Sequence, residues 1–271
     1  MHPMINIALR AARKAGDIIE RATENIDQLD IIQKSENDFV TEVDNAAERE
    51  ILYHLKKAYP DHAFMCEESG LTGDPDAEYR WLIDPLDGTT NFINGIPHFA
   101  VSIACLRNGR LEHAVIYDPI RREEFSATRG NGARMNGRRL RTRKAFNKNS
   151  ALFATGIPFG DCSPENMQAF SEVMQTLAVG SAGIRRCGSA ALDLAYVAAG
   201  RYDAYWEIGI QSWDMAAGAL LVQEAGGLVS DYTGGANFLE NGHIVASSAK
   251  AFKSTLQTVN QAYAGLLTKQ T

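Results

Sequence analysis

The sequence predicts a mixed fold of two joined halves: an α+β half over residues 1–145 and an α/β half over residues 146–271. Three observations carry that expectation. Helical periodicity opens the chain. β-rich runs broken by Asn108-Gly109 and Asp118-Pro119 fill its middle. After Ser150, short strand-like and helix-like stretches alternate with brief connections. No Gly/Ser-rich linker marks the change of texture, so the halves are expected to form one compact unit.

The elements follow in order. Across residues 3–23, Met4, Ile7, Ala8, Ala11, Ala12, Ala15, Ile18, Ile19 and Ala22 recur at helical spacing, and Pro3 suits a first turn. Residues 26–35 read as irregular, or as a short strand over 29–32. Residues 34–44 are polar and without a period, and read as a loop leading into a second helix. That helix is expected over about 44–58, with Ala47, Ile51, Leu52 and Leu55 inward and Pro60 ending it. Residues 63–66 form a short apolar strand that delivers Glu67-Glu68. Residues 71–78 read as a surface loop, and residues 81–83 as the strand that delivers Asp84.

Residues 99–106, 111–117 and 124–128 then make an antiparallel meander, since Asn-Gly between apolar runs is a strong hairpin signal. A further short strand is expected within 133–140. In the second half, strands are expected over 151–157, 183–187, 202–208, 227–231 and 243–247. Helices are expected over 165–177, 189–199, 214–225 and 249–267.

Composition narrows the function classes. Hydrophobic content of 45% and charged content of 22% are ordinary for a globular chain. No apolar run approaches the ~18 residues of a membrane span. The start, Met1-His2-Pro3-Met4-Ile5, has no basic stretch followed by an apolar one, so it does not read as a secretion signal. Cys66, Cys105, Cys162 and Cys187 are scattered and read as free thiols in a reducing cytoplasm. The net charge is −6 and the basic residues cluster only near 134–144, which argues against a dedicated nucleic-acid surface.

The most informative stretch runs Trp81-Leu82-Ile83-Asp84-Pro85-Leu86-Asp87-Gly88-Thr89-Thr90-Asn91-Phe92. Asp84 is expected at a strand exit and Asp87 in the turn beyond it. Gly88 to Asn91 supply backbone N–H groups and the start of a helix. Carboxylate oxygens suit a hard divalent cation, and free amides suit a phosphate. Asp-Pro and Asp-Gly also make ordinary turns. Other carboxylates stand at element boundaries: Asp44, Glu67-Glu68 and Asp214. Taken singly, Asp44 and Asp214 read as helix N-caps, Glu67-Glu68 as solvated charges and Glu207 as an edge charge. As a set, the boundary carboxylates favour a cation centre, because clustered buried carboxylates need a compensating charge.

Four motifs carry a resemblance: Asp38-Phe39-Val40-Thr41-Glu42-Val43-Asp44, Glu67-Glu68-Ser69, Asp84 to Phe92, and Trp213-Asp214-Met215-Ala216-Ala217-Gly218. In their order and spacing the chain resembles the inositol monophosphatase family, within the magnesium-dependent, lithium-sensitive phosphatases. The opening residues and Gly188-Ser189-Ala190-Ala191-Leu192-Asp193 look most like its bacterial branch.

The resemblance implies a layered αβαβα sandwich and two or three Mg2+ ions per subunit. Glu67, Asp84 and the Leu86 carbonyl match ligands of one ion, and Asp84, Asp87 and Asp214 those of another. Thr89 and Glu67 match residues that position the attacking water, with Asp44 accepting the Thr89 hydroxyl proton. The Gly88 and Thr89 amides match a phosphate cradle. Gly188, Ser189, Ala190, Glu207 and Arg185 match positions facing the substrate ring.

The implied activity is hydrolysis of myo-inositol monophosphate or related polyol and sugar phosphate monoesters. No Cys or His is placed as a nucleophile, so no phospho-enzyme is expected. Fructose 1,6-bisphosphate and 3′-phosphonucleotides are the neighbouring substrates. Bacterial members also imply a different role, as accessory factors binding the transcription elongation and antitermination machinery and RNA polymerase at ribosomal RNA operons. A cytoplasmic homodimer without membrane contact is implied, with residues 184–187 at its interface. Lys34 reads as a solvated lysine within reach of the phosphate.

Overall fold

The computed structural model describes residues 2–28, 31–35, 38–159 and 162–267. The first half runs α1 (Pro3–Ala22), a 3-10 turn (Thr23–Gln28), β1 (Ile31–Ser35), β2 (Asp38–Thr41) and α2 (Glu42–Ala58). It continues with β3 (Ala63–Cys66), β4 (Gly70–Thr72), β5 (Tyr79–Asp87), α3 (Thr89–Ile93), β6 (Ala100–Arg107) and β7 (Arg110–Asp118). Then come β8 (Glu123–Thr128), β9 (Gly132–Met135) and β10 (Arg138–Arg139). The second half runs β11 (Leu152–Thr155), α4 (Pro164–Ala178), β12 (Gly183–Arg185), α5 (Ala190–Ala198) and β13 (Ala204–Ile208). It closes with α6 (Ser212–Glu224), β14 (Gly227–Ser230), α7 (Phe238–Asn241), β15 (His243–Ser248) and α8 (Phe252–Leu267).

Strand alternation sorts the core into three apolar layers. In the eight-stranded sheet, ordered β10-β9-β8-β7-β6-β5-β3-β4, Trp81, Ile83, Val101, Ile103 and Val115 face α1 and α2. Their neighbours Leu82, Ala100, Ala104, Ala114 and Ile116 face α5 and α6 on the opposite side. The same two helices meet Tyr205, Ile244 and Ala246 of the five-stranded sheet, ordered β12-β11-β13-β15-β14. Its other face, with Phe153, Trp206 and Val245, packs on α4 and α8. The result is an αβαβα sandwich. Met215 to Val222 of α6 are buried all round because the helix lies between two sheets. A Cβ on Gly218 would meet Leu194 Cβ at 2.3 Å, so glycine sets the α5–α6 approach.

The structure differs from the expected elements in several places. Residues 38–41 form a strand paired antiparallel with β1 rather than a loop. The conformation expected around Lys34 to Asp38 falls partly outside the described residues, as does the Lys34 side chain. Within 71–78, β4 pairs with β3 through Phe64–Thr72; three residues are too short to display a period. The single strand expected within 133–140 is a hairpin, β9–β10, turning at Asn136 and Gly137 with φ of 48° and 77°. The five-stranded sheet is mixed: β11 runs parallel to β12 and β13, and β15 is antiparallel to both β13 and β14.

Candidate active site

Strand register brings the first carboxylates together. β3 and β5 are parallel, with Cys66 opposite Ile83, so Glu67 and Asp84 leave the sheet side by side. The Glu67 amide donates to the Ile83 carbonyl at 3.0 Å. Residues three apart on a regular strand face opposite sides. The β5–β6 register breaks between Asp84 and Asp87, and this irregularity turns both side chains into one cavity. The strand therefore extends through Asp87, whereas a turn was expected after Asp84. The Leu86 amide donates to Asp84 Oδ1 at 2.8 Å and braces it.

Gly88 then adopts a φ of 100°, and a Cβ there would lie 3.1 Å from the carbonyls of His98 and Gly188. It caps α3 without a side-chain hydrogen bond, which leaves the first amides for an anion. Asn91 ties the cavity's walls together: its Nδ2 donates to the carbonyls of His98 at 2.7 Å and Cys187 at 2.8 Å.

Neither Asp44 nor Asp214 is the N-cap expected of it: Thr41 and Gln211 take those positions, and the two carboxylates lie one turn in, beside the cavity. Each is the third residue of its helix and completes a capping box. Asp44 Oδ2 accepts from the Thr41 amide at 2.8 Å, while its Oδ1 accepts from Thr89 Oγ1 at 3.1 Å. Thr89 Oγ1 also lies 3.0 Å from the Leu86 carbonyl. Asp214 Oδ2 accepts from the Gln211 amide at 2.8 Å. Ser102 Oγ of β6 donates to the Trp213 carbonyl at 3.0 Å, anchoring the first turn of α6 against the sheet that carries Asp84.

One cavity of about 250 Å³ collects these groups. Its wall includes Glu67, Asp84, Leu86, Asp87, Gly88, Thr89, Gly188, Ser189, Ala190, Glu207 and Asp214. Asp44 lies behind Thr89, buried. Arg185 is not in this wall; its neighbour Arg186 is, with its guanidinium over the Phe159 ring at 5.1 Å. β12 ends at Arg185, and the chain then turns toward the cavity.

Sequence reasoning also passed over Asp193, Gly156 and Glu48. Asp193 lies on a helix of otherwise apolar residues and lines the cavity. Gly156 leaves room for Glu207, whose Oε1 would be 1.7 Å from a Cβ there. Glu48 accepts from the Glu68 and Ser69 amides at 2.9 and 3.1 Å and so fixes the turn after Glu67. Its position one helical turn beyond Asp44 was the available signal.

The electrostatics are those of a buried cluster of carboxylates. Burial, then repulsion from Glu67, Asp87 and Asp214, pushes Asp84 well above the usual carboxylate range. Burial and repulsion from Asp87 and Glu67 do the same to Asp214. Burial raises Asp87 to about 6, although Ser189 Oγ and the Ala191 and Ala190 amides favour its charged form. Burial likewise raises Glu207 to about 7, opposed by the Tyr205 hydroxyl and Arg186. An oxygen-only donor set whose members repel one another fits hard divalent cations. Glu67, Asp84, Asp87, Asp214 and the Leu86 carbonyl are the groups that could hold them.

A family model, the inositol monophosphatase family, matches residues 1–264 of this chain. The chain belongs to that family. Among its relatives, the Nus factor SuhB of Pseudomonas aeruginosa is 59% identical over 261 residues, covering 96% of each chain. A crystal structure of the extragenic suppressor protein suhB from Bartonella henselae superposes with a TM-score of 0.91 at 40% identity, covering 96% of this chain and 99% of that one. The inositol monophosphatase from Anabaena (Nostoc) superposes with a TM-score of 0.83 at 35% identity, covering 95% of each. The layered sandwich described above is thus the inositol monophosphatase fold. No helix among the described residues is long and apolar enough to cross a membrane.

Proposed function

We propose that this chain is a magnesium-dependent, lithium-sensitive phosphatase that hydrolyses myo-inositol monophosphate and related polyol or sugar phosphate monoesters to the alcohol and phosphate. The convergence of Glu67, Asp84, Asp87 and Asp214 beside the uncapped start of α3 carries the reading. Two or three Mg2+ ions held there would neutralise the carboxylates and stabilise negative charge developing on the phosphoryl group.

The chain's own residues supply the positioning. Thr89 Oγ donates its proton to Asp44, which leaves an oxygen lone pair to accept one hydrogen of the attacking water. Glu67 accepts the other. The Gly88 and Thr89 amides receive phosphate oxygens. Glu207 and Ser189 offer hydrogen bonds to the alcohol hydroxyls. The described residues of the cavity wall include no Cys or His, which suits direct attack by water. Arg186 is the only cation among them, a poor match for the second phosphate of a bisphosphate.

Asp84→Asn tests this directly: phosphate release from inositol 1-phosphate should fall to background, and near-normal release would refute the assignment. Identity of 59% to a Nus factor favours a second reading, in which the chain also binds the transcription elongation machinery. Retention of RNA polymerase and its elongation factors by immobilised wild-type and Asp84→Asn protein alike would support a role separable from hydrolysis. Failure of both proteins to retain them would remove it.

A further inference from the structure

We propose that His98, Cys187 and Asp193 form a second metal site, for a zinc-class cation, set behind the wall of the acidic cavity. One ligand atom from each lies within 4.8 Å of the others. The site is distinct in chemistry from the carboxylate centre: it offers nitrogen, sulfur and one oxygen, a set that selects borderline-soft metals over magnesium.

Two buried atoms of these ligands have no hydrogen-bond partner among the described residues. His98 is 8% exposed and its Nε2 makes no hydrogen bond; Asp193 is 1% exposed and its Oδ1 makes none. Buried polar atoms are seldom left in this state, because each has given up its hydrogen bonds to water. A cation bridging both would satisfy them together. Burial and the nearby Arg121 also lower the His98 pKa, so the imidazole is neutral and ready to ligate.

The scaffold holds the donors in place before any metal binds. His98 lies in the loop before β6 and Cys187 in the loop before α5, and Asn91 Nδ2 grips the carbonyls of both. Asp193 sits on the first turn of α5, its amide donating to the Ser189 carbonyl at 3.0 Å. The His98 ring meets the Tyr196 edge at 6.0 Å, and the Tyr202 hydroxyl lies 3.8 Å from Cys187 Sγ. Zinc–ligand bonds of about 2.0–2.3 Å place the donors of a tetrahedral site about 3.3–3.8 Å apart. Binding would therefore draw the donors together by about 1 Å through small side-chain rotations. Burial and the Asp193 charge raise the Cys187 thiol pKa, so the cation itself would displace its proton to solvent on binding. Water from the cavity side would fill the fourth position.

The test is cobalt titration of the full chain in excess magnesium, followed by the near-ultraviolet thiolate-to-cobalt charge-transfer band. That band requires a sulfur ligand, so the carboxylate centre cannot produce it. One Co2+ per chain should give the band, and added Zn2+ should displace it. It should survive in Asp84→Asn and in Cys162→Ser, which removes the exposed thiol. It should be lost in Cys187→Ser, and His98→Gln should weaken Co2+ binding about tenfold or more. No band in the wild type, a band that persists in Cys187→Ser, or unchanged affinity in His98→Gln would overturn the proposal. Because the readout is spectroscopic, it holds or fails independently of phosphatase activity.

Discussion

Replacing Asp87 by Asn removes one charge from the anion cluster while keeping an oxygen for the Ser189 hydroxyl and the Ala191 amide. In the unfolded chain Asp87 ionises near 3.8, and in the folded, metal-free protein at about 6. Between those values the folded state keeps a proton that the unfolded chain has lost. Stability therefore falls as pH rises through that window, and the loss is complete above about pH 6. The difference corresponds to about 3 kcal/mol. Weaker hydrogen bonds to a neutral amide return about 1 kcal/mol. Metal-free Asp87→Asn should thus be about 2 kcal/mol more stable than wild type at pH 8, or roughly 4–8 °C in Tm, and no more stable at pH 4. Magnesium at 100 times its Kd should add about 2.7 kcal/mol to the wild type and much less to the variant. Thermal unfolding followed by circular dichroism, in chelator and then in magnesium, reads both effects. A variant less stable than wild type at pH 8 in chelator, with an equal response to magnesium, would refute the electrostatic reasoning.

Other substitutions test other parts of the cavity. Thr89→Ala removes the hydroxyl that faces Asp44; kcat should fall about 100-fold with KM little changed, and Thr89→Ser should restore much of it in steady-state assays. Gly156→Ala places a Cβ 1.7 Å from Glu207 Oε1. Glu207 must swing away, so KM for inositol 1-phosphate should rise more than kcat falls, with a stability loss of about 1–3 kcal/mol in urea unfolding.

Which parts of the molecule the sequence could reveal follows from how local each one is. Asp84 to Phe92 are contiguous, so the motif could be read directly, as could Glu67 at the end of an adjacent strand. Asp44 and Asp214 read as helix N-caps, but Thr41 and Gln211 hold those positions and the two carboxylates stand at the third helical residue; that each faces the site depends on Thr89 and on the Ser102–Trp213 hydrogen bond, which join residues far apart in the chain. Asp193 was hidden because its helix neighbours are all apolar, and burial on every side cannot be told from one exposed charge by spacing alone. The choice between Arg185 and Arg186 turned on where β12 ends, and strand ends are the least readable feature of a sequence. Helix and strand types were read well where periods were long; β4 and α7, of three and four residues, were too short to show one.

Hydrolysis of a phosphate monoester in the acidic cavity, with help from divalent cations, is the proposed activity. Phosphate release from inositol 1-phosphate by the wild-type chain, measured with magnesium, with chelator and with added lithium, tests it most directly. Turnover is expected with magnesium, none in chelator, and inhibition by lithium. Absence of turnover with magnesium on inositol 1-phosphate and on related monoesters, or turnover that persists in chelator, would contradict it.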